Sequence, residues 1–219
     1  MDQVVLNFLG NLRENNNREW FQKNKDQYIR AREVFEAFIN ELIPAIRSFD
    51  PHIGMITAKD CTFRIYRDVR FSKDKSPYKT NMGAYISRGG RSTQFAGYYV
   101  HAEPGGSFLA GGIYMPQSEV LKKVREEIFY NIEEFKQIIG ESEFARVFGK
   151  MDDSDKLVNP PKGFPKEFPD IDLLKFKSYV VVHSVPDKIF LSEGYPEYCL
   201  EVFTTLLPLN NFINRIFMV

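Results

Sequence analysis

Residues 95–115, FAGYYVHAEPGGSFLAGGIYM, decide the fold of this chain. Two runs rich in aromatic and apolar residues flank the turn sequence Pro104-Gly105-Gly106. Because glycine adopts the positive φ angles of tight turns at little steric cost, this pattern predicts an antiparallel β-hairpin. No other part of the chain carries a stronger hairpin signal.

Three further segments carry strand signals on either side of the hairpin. Segment 61–68, CTFRIYRD, alternates apolar and polar residues, which is typical of a half-buried strand. Segment 83–88, GAYISR, ends at a glycine pair, and segment 177–185, KSYVVVHSV, is rich in β-branched residues. These segments and the hairpin predict a mostly antiparallel sheet of four or five strands, over 61–68, 83–88, 95–103, 107–115 and 177–185.

Apolar residues at helical spacing predict helices around the strand region. A long helix over 18–47 should pack on the sheet, and a closing helix over 195–217 should be interrupted near Pro208. Strands and helices do not alternate as in parallel βαβ units, so the predicted fold class is α+β. Without a repeat or a low-complexity linker, residues 1–219 are expected to form a single domain. Other helices are predicted over 4–12, from Pro116 to about Phe129, and over about 132–139.

The composition limits the classes of function that the chain can have. Its 219 residues include 29 Lys and Arg and 29 Asp and Glu, so a broadly basic surface is excluded. No apolar run is long enough for a membrane helix, and the N-terminus does not resemble a secretory signal. The two cysteines, Cys61 and Cys199, indicate neither a disulfide framework nor a zinc site. These features predict a cytoplasmic protein without a membrane partner.

Positive charge is concentrated in residues 59–91, which contain nine Lys and Arg and three Asp. A neutral chain with such a segment is expected to present a site for an anionic small molecule. Guanidinium groups bind phosphate or carboxylate in a two-pronged geometry, lysines add a mobile charge, and a tyrosine can donate a hydrogen bond or stack on a ring. The candidate anion ligands are Arg64, Arg67, Arg70, Lys75, Tyr78 and Lys79.

Three side chains are candidates for catalysis. Asp68, inside the basic segment, could orient the arginines or act as a base with a pKa lowered by its cationic neighbours. Alternation along the first hairpin strand puts His101 and Glu103 on one face with Tyr99. His101 and Glu103 could form a general base and its partner or supply two metal ligands, and His101 could equally be a structural histidine. No metal site is assigned, and no motif identifies a cofactor.

The basic segment also resembles a known signature. Its order is Arg64-x-x-Arg67-Asp68-x-Arg70-Phe71, followed by an Asp-Lys pair and a tyrosine. This order is similar to that of the domain-of-unknown-function 2461 family, a group of bacterial proteins of about this length. The family has no established activity, but the resemblance implies that the basic segment is a site and not a solvated surface. Similarity to the family pattern extends over 15–21, 111–116, 161–164 and 208–212.

Three functions agree with these observations. The first is a binding site for a phosphorylated or otherwise anionic small molecule, with transfer or hydrolysis at a phosphoryl group or an acidic sugar as the suitable chemistry. The second is a nucleic-acid-binding module, in which basic residues interleave with aromatic residues such as Phe63 and Tyr66. The third is a structural or partner-binding protein whose basic segment pairs with acidic helices. The oligomeric state is not indicated by any motif.

Overall fold

A computed structural model of the chain describes residues 1–218. At its centre lies a four-stranded antiparallel sheet whose strands pair in chain order. The strands are β1 (Met82–Ile86), β2 (Gly97–Ala102), β3 (Phe108–Ile113) and β4 (Tyr179–Ser184). The predicted hairpin is confirmed, since β2 and β3 join through the glycine turn, where the Gly106 amide donates to the Glu103 carbonyl at 3.0 Å.

Helices pack around this sheet, which confirms the predicted α+β class. Within residues 1–218, no helix has the length and the apolar character that crossing a bilayer requires. Short 3-10 turns lie at 51–53, 90–92, 171–174 and 215–217. The α-helices are α1 (Gln3–Glu14), α2 (Arg18–Lys23), α3 (Lys25–Phe49), α4 (Ala58–Cys61), α5 (Ser118–Tyr130), α6 (Ile132–Gly140), α7 (Ser142–Phe148), α8 (Asp187–Phe190) and α9 (Tyr195–Asn214).

One face of the sheet packs against helices and forms the hydrophobic core. Tyr98 of β2 contacts the rings of Phe203 in α9 and Phe49 in α3, at centroid distances of 5.2 and 6.1 Å. Gly111 of β3 lies on the same face, and an added Cβ would come within 2.4 Å of the Leu206 side chain in α9. The missing side chain at Gly111 therefore lets α9 approach the sheet closely.

The opposite face of the sheet is only partly covered. Tyr99 pairs with Ala110 across β2 and β3, and Ala110 pairs in turn with Val182 of β4. Val182 is 38% exposed and Tyr99 is half-buried, whereas His101 and Ala110 are buried, so solvent reaches only part of this side. We call this surface the open face, and it consists of the side chains of Tyr99, His101, Phe108, Ala110 and Val182.

The strand predicted over 61–68 does not form. Its first residue instead ends the short helix α4, which is stabilised at its start by the Asp60 carboxylate. Asp60 accepts hydrogen bonds from the backbone amide and from the hydroxyl of Thr57, both at 2.8 Å. Contacts of this kind favour helix at a point where alternation alone favours strand.

Residues 62–79 form an extended arm that folds back on itself beside β1. Thr62 makes one bridge to Ala84 of β1, whereas Tyr66 bridges to Tyr78 on the returning side of the arm. Because the two sides of the arm pair with each other, the regular sheet ends at β1. We call residues 62–79 the basic arm.

Two helix predictions are also corrected. The helix predicted over 18–47 is divided at Asn24, because the Asn24 side-chain amide donates to the Trp20 carbonyl at 2.9 Å and ends α2. The closing helix α9 runs through Pro208 without the predicted interruption. Since Pro208 is exposed, water can bind the Thr204 carbonyl that loses its usual amide donor.

Candidate functional site

The tip of the basic arm is partly neutralised by ion pairs within the arm. Arg70 donates from Nε and Nη2 to the two carboxylate oxygens of Asp68, at 2.9 and 2.6 Å. These hydrogen bonds lower the pKa of Asp68 below its ordinary value. This contact orients the Arg70 guanidinium, which is one of the two roles that the sequence leaves open for Asp68.

A second ion pair shapes the turn at the tip of the arm. Asp74 accepts hydrogen bonds from the Ser76 hydroxyl at 2.6 Å and from the Ser76 amide at 2.9 Å, and it also pairs with Arg67. These contacts hold the pKa of Asp74 well below its usual range, with Ser76 contributing most. Lys75 donates to the Val69 carbonyl at 2.9 Å. Two further candidate anion ligands, Arg67 and Lys75, therefore have partners inside the arm.

Tyr78 anchors the basic arm to the helical side of the molecule. The residue is only 3% exposed, and its ring stacks on Phe21 of α2 with the centroids 4.0 Å apart. Its backbone amide and carbonyl both bond the side chain of Asn16, at 3.1 and 3.0 Å. A ring enclosed in this way does not face solvent, so Tyr78 positions the arm and does not offer a stacking surface.

Lys79 and Arg64 lie near each other without an acidic partner. Among residues 1–218, neither forms an ion pair with a carboxylate. Lys79 Nζ lies 5.5 Å from the ring centroid of Phe63. Burial and the Arg64 charge both lower the pKa of the Lys79 ammonium. The Arg64 charge also lowers the pKa of Asp68, but neither cation has a carboxylate at ion-pair distance within the described residues.

On the open face, Tyr99, His101 and Glu103 form a hydrogen-bonded chain. His101 Nε2 lies 3.1 Å from Oε2 of Glu103, and His101 Nδ1 lies 3.0 Å from the Tyr99 hydroxyl. An ionised carboxylate only accepts hydrogen bonds, so in the neutral ring Nε2 carries the proton and Nδ1 accepts from Tyr99. The Thr80 hydroxyl donates to the other carboxylate oxygen of Glu103 at 3.4 Å.

Burial sets the protonation of this chain. It lowers the pKa of His101, although the Glu103 carboxylate acts in the opposite direction. It raises the pKa of Tyr99 to about 12, and the charges of Glu103 and Tyr114 add to that effect. At neutral pH, His101 is therefore a neutral imidazole that can accept a proton, and Tyr99 is a phenol that donates a hydrogen bond.

Sequence reasoning missed Gly83 and Phe108, which pack around this chain, and did not place Phe63 beside it. Gly83 of β1 leaves room for Tyr99, because an added Cβ would lie 2.2 Å from the Tyr99 hydroxyl. Phe108 stacks on His101 at 4.2 Å, and Phe63 meets Tyr99 edge-on at 6.3 Å. Gly83 and Phe108 both pair with His101 across the sheet, so the strand register would have identified them. No comparable signal predicted the position of Phe63, because the alternation of apolar and polar residues in the arm does not show where the arm runs.

The basic arm and the hydrogen-bonded chain meet at the open face. The Lys79 charge contributes to the lowered pKa of His101, and Phe63 contacts Tyr99 while it lies close to Lys79. Asp68 instead contacts Arg70 at the tip of the arm. The arm thus brings Lys79 to His101, and Arg64 lies near Lys79. We call this group the sheet-face site, and it consists of Arg64, Lys79, Tyr99, His101 and Glu103.

A separate groove of about 840 Å³ lies between α6, α7 and α9. His183 lines it, bonded through Nδ1 to the Val147 carbonyl at 2.7 Å and through Nε2 to the Tyr198 hydroxyl. The groove contains none of the site residues predicted from the sequence, so we do not place the candidate site there on the basis of its volume. Within residues 1–218, no three His, Cys, Asp or Glu side chains come together as a metal site requires.

A comparison with family models matches residues 4–212, nearly the whole chain, to the family described as conserved hypothetical protein (DUF2461). The chain belongs to this family. This match confirms the resemblance to the family that was inferred from the sequence. No curated protein and no solved structure matches the chain. The description of DUF2461 names no activity, so the function has to be argued from the site itself.

Proposed function

We propose that the protein binds a phosphate- or carboxylate-bearing small molecule at the sheet-face site. The observation that supports this most strongly is the pair formed by Arg64 and Lys79. These two cations lie near each other, Lys79 lies near the buried imidazole of His101, and within residues 1–218 neither forms an ion pair with a carboxylate. An anion bound between them would supply a partner at ion-pair distance.

The energetics favour an anion at this position. Burial and mutual repulsion both oppose the charged form of Lys79, as its lowered pKa reflects. A bound anion reverses this, since a hydrogen bond to a charged group contributes about 1.5–3 kcal/mol. Two such contacts, one from Arg64 and one from Lys79, correspond to a dissociation constant of about 1 mM for a small anion.

The chain of Tyr99, His101 and Glu103 adds a chemical capacity beside the anion. A neutral imidazole held by a carboxylate is the arrangement of a general base, and the carboxylate stabilises the imidazolium that forms when His101 takes up a proton. Because His101 Nδ1 already accepts the Tyr99 hydroxyl proton, the Tyr99 oxygen is the atom that would receive a proton from the ligand, while Tyr99 passes its own proton to Nδ1. The proposed chemistry is proton transfer from the bound ligand to His101 through the Tyr99 hydroxyl.

Calorimetric titration with inorganic phosphate and with citrate at low ionic strength tests the binding proposal. Arg64→Ala and Lys79→Ala should each weaken binding about tenfold, because each removes one charged contact. Arg30→Ala is the matched control, since Arg30 is an exposed arginine of α3 and its loss changes the net charge equally. Arg70→Ala should also stay near wild type, because Asp68 already occupies the Arg70 guanidinium.

Two results would overturn this proposal. The first is the failure of both phosphate and citrate to bind the wild-type protein. The second is equal weakening by Arg30→Ala and by Arg64→Ala, which would indicate a general effect of net charge. Circular dichroism of each variant shows whether an affinity change accompanies a loss of fold.

A further inference from the structure

We propose that the ligand of the sheet-face site carries an aromatic ring next to its anionic group, as a nucleoside monophosphate does. This inference rests on the proposed anion site and names the class of molecule that the site takes. It follows from a group of partly exposed apolar and aromatic side chains beside the two cations. We call this group the aromatic rim, and its members are Phe63, Tyr99, Phe108, Tyr114 and Val182.

The aromatic rim begins beside Lys79. Phe63 is 39% exposed, and its ring centroid lies 5.5 Å from Lys79 Nζ. Tyr99 meets Phe63 edge-on, and the rings of Tyr99 and Phe108 lie 5.7 Å apart. Tyr114 is 70% exposed, and its hydroxyl is near enough to affect the pKa of Tyr99. An anion bound to Lys79 would therefore lie next to an aromatic surface.

The small side chain in the middle of the open face favours a flat partner. Ala110 lies between Tyr99 and Val182 in the strand register, so a methyl group separates two larger side chains. Single exposed apolar residues are common, but a contiguous group bordered by unpaired cations is typical of a binding surface. Stacking of a base on aromatic side chains contributes about 1–3 kcal/mol, which is enough to raise affinity about tenfold.

The distribution of charge favours one nucleotide over a strand. A single-stranded nucleic acid needs a track of cations along its backbone. Arg67 and Arg70, the arginines that would extend such a track along the arm, are ion-paired with Asp74 and Asp68. The arginine and lysine nearest to the aromatic rim therefore suit one phosphate group.

The test is a calorimetric comparison of four probes on the wild-type protein: ribose 5-phosphate, adenosine 5′-monophosphate, adenosine and a ten-nucleotide single-stranded DNA. Adenosine 5′-monophosphate should bind about tenfold more tightly than ribose 5-phosphate, because only the nucleotide has a ring for the aromatic rim. Adenosine should bind more weakly than the nucleotide, because it lacks the anion. The affinity of the oligonucleotide should exceed that of adenosine 5′-monophosphate by no more than the statistical factor from its larger number of phosphate groups.

A variant pair assigns any ring contribution to the aromatic rim. Phe63→Leu keeps an apolar side chain but removes the aromatic face, so it should weaken nucleotide binding about tenfold and leave ribose 5-phosphate binding unchanged. Phe71→Leu is the matched control, since Phe71 lies on the same arm and is 96% exposed. It should leave the affinities for both probes unchanged.

The possible outcomes separate the two proposals. Equal affinities for ribose 5-phosphate and the nucleotide would overturn the aromatic ligand and leave the anion site standing. If neither phosphate compound binds, the anion site fails and the aromatic ligand fails with it. If the oligonucleotide binds far more tightly than its phosphate count explains, the surface takes a nucleic-acid strand and not a mononucleotide. An equal loss of nucleotide affinity in Phe63→Leu and Phe71→Leu would show that the ring of the ligand does not bind at the aromatic rim.

Discussion

At the scale of single residues, the chemistry that we propose for the sheet-face site depends on His101. Both of its ring nitrogens are hydrogen-bonded, and its ring stacks on Phe108. Burial favours the neutral form and the Glu103 carboxylate favours the protonated form, and the balance lowers the pKa below 6.5. His101 is therefore ready to accept a proton at neutral pH without first losing one.

The lowered pKa of His101 predicts how stability depends on pH. Below about pH 6.5, the imidazole of the unfolded chain takes up a proton that the folded chain resists, so the free energy of unfolding falls as the pH drops. His101→Gln removes this contribution. Urea titrations between pH 7.5 and 5.5 should show a steeper loss of stability for wild type than for the variant, by at most about 1.4 kcal/mol per pH unit.

His52→Gln serves as the control for this comparison, because the residue lies exposed beside the end of α3. That variant should keep the steepness of the wild-type profile. Parallel profiles for wild type and His101→Gln would contradict the proposed protonation state. The difference in steepness is the decisive quantity, since either substitution can also change the stability at a single pH.

The ion pairs of the basic arm could not be predicted from residue spacing. The order of the signature treats Arg64, Arg67 and Arg70 alike. In the fold, Arg67 and Arg70 are paired with carboxylates of the arm, and Arg64 is not. Arg67 pairs with Asp74, whose position is set by the turn that it forms with Ser76, and spacing alone does not determine that turn.

At the scale of elements, β1 shapes the site through a missing side chain. Gly83 pairs with His101, and its lack of a Cβ accommodates the Tyr99 ring. An added Cβ would lie 2.2 Å from the Tyr99 hydroxyl and 2.9 Å from the carbon that carries it. The hydrogen bond from Tyr99 to His101 therefore requires glycine on the neighbouring strand.

Gly83→Ala should reduce stability by about 1–3 kcal/mol, because Tyr99 must leave its position. In a Tyr99→Phe background the cost should shrink, since the closest atom in the clash is then absent. Equal costs in both backgrounds, measured by urea unfolding, would refute this explanation. Gly10→Ala is the control, because Gly10 lies inside α1, where the nearest atom to an added Cβ is 4.0 Å away. It should stabilise the protein by about 0.5–1 kcal/mol.

The sequence predicted most elements because their signals are local. The hairpin followed from its glycine turn, and the face shared by Tyr99, His101 and Glu103 followed from alternation. The segment 61–68 was assigned wrongly because the capping contact of Asp60 and the pairing of the arm with itself outweigh alternation. The meeting of the arm with β2 depends on contacts between distant residues, which no local pattern contains.

At the scale of the whole molecule, the N-terminal helices hold the basic arm in position. The side chain of Asn16, between α1 and α2, bonds both backbone polar groups of Tyr78, and Phe21 stacks on the Tyr78 ring. Residue 79 follows immediately and turns to the open face. The helical layer therefore fixes the place of Lys79.

Asn16→Ala should lower the free energy of unfolding by about 1–3 kcal/mol, because it leaves two half-buried backbone groups of Tyr78 without a partner. It should also weaken phosphate binding, since the arm is no longer held beside β2. Asn15→Ala is the matched control, because Asn15 is exposed and its side chain bonds only the local carbonyl of Asn11. Equal affinities in the two variants would show that the arm does not depend on the helical layer.

The location of the anion is tested most directly by mapping backbone amide shifts in a ¹⁵N-labelled sample titrated with inorganic phosphate. If the sheet-face site binds the anion, the largest shifts will cluster at residues 62–66, 78–83 and 99–103. Shifts confined to the arm tip at 68–76, or to the groove between α6, α7 and α9, would contradict the account.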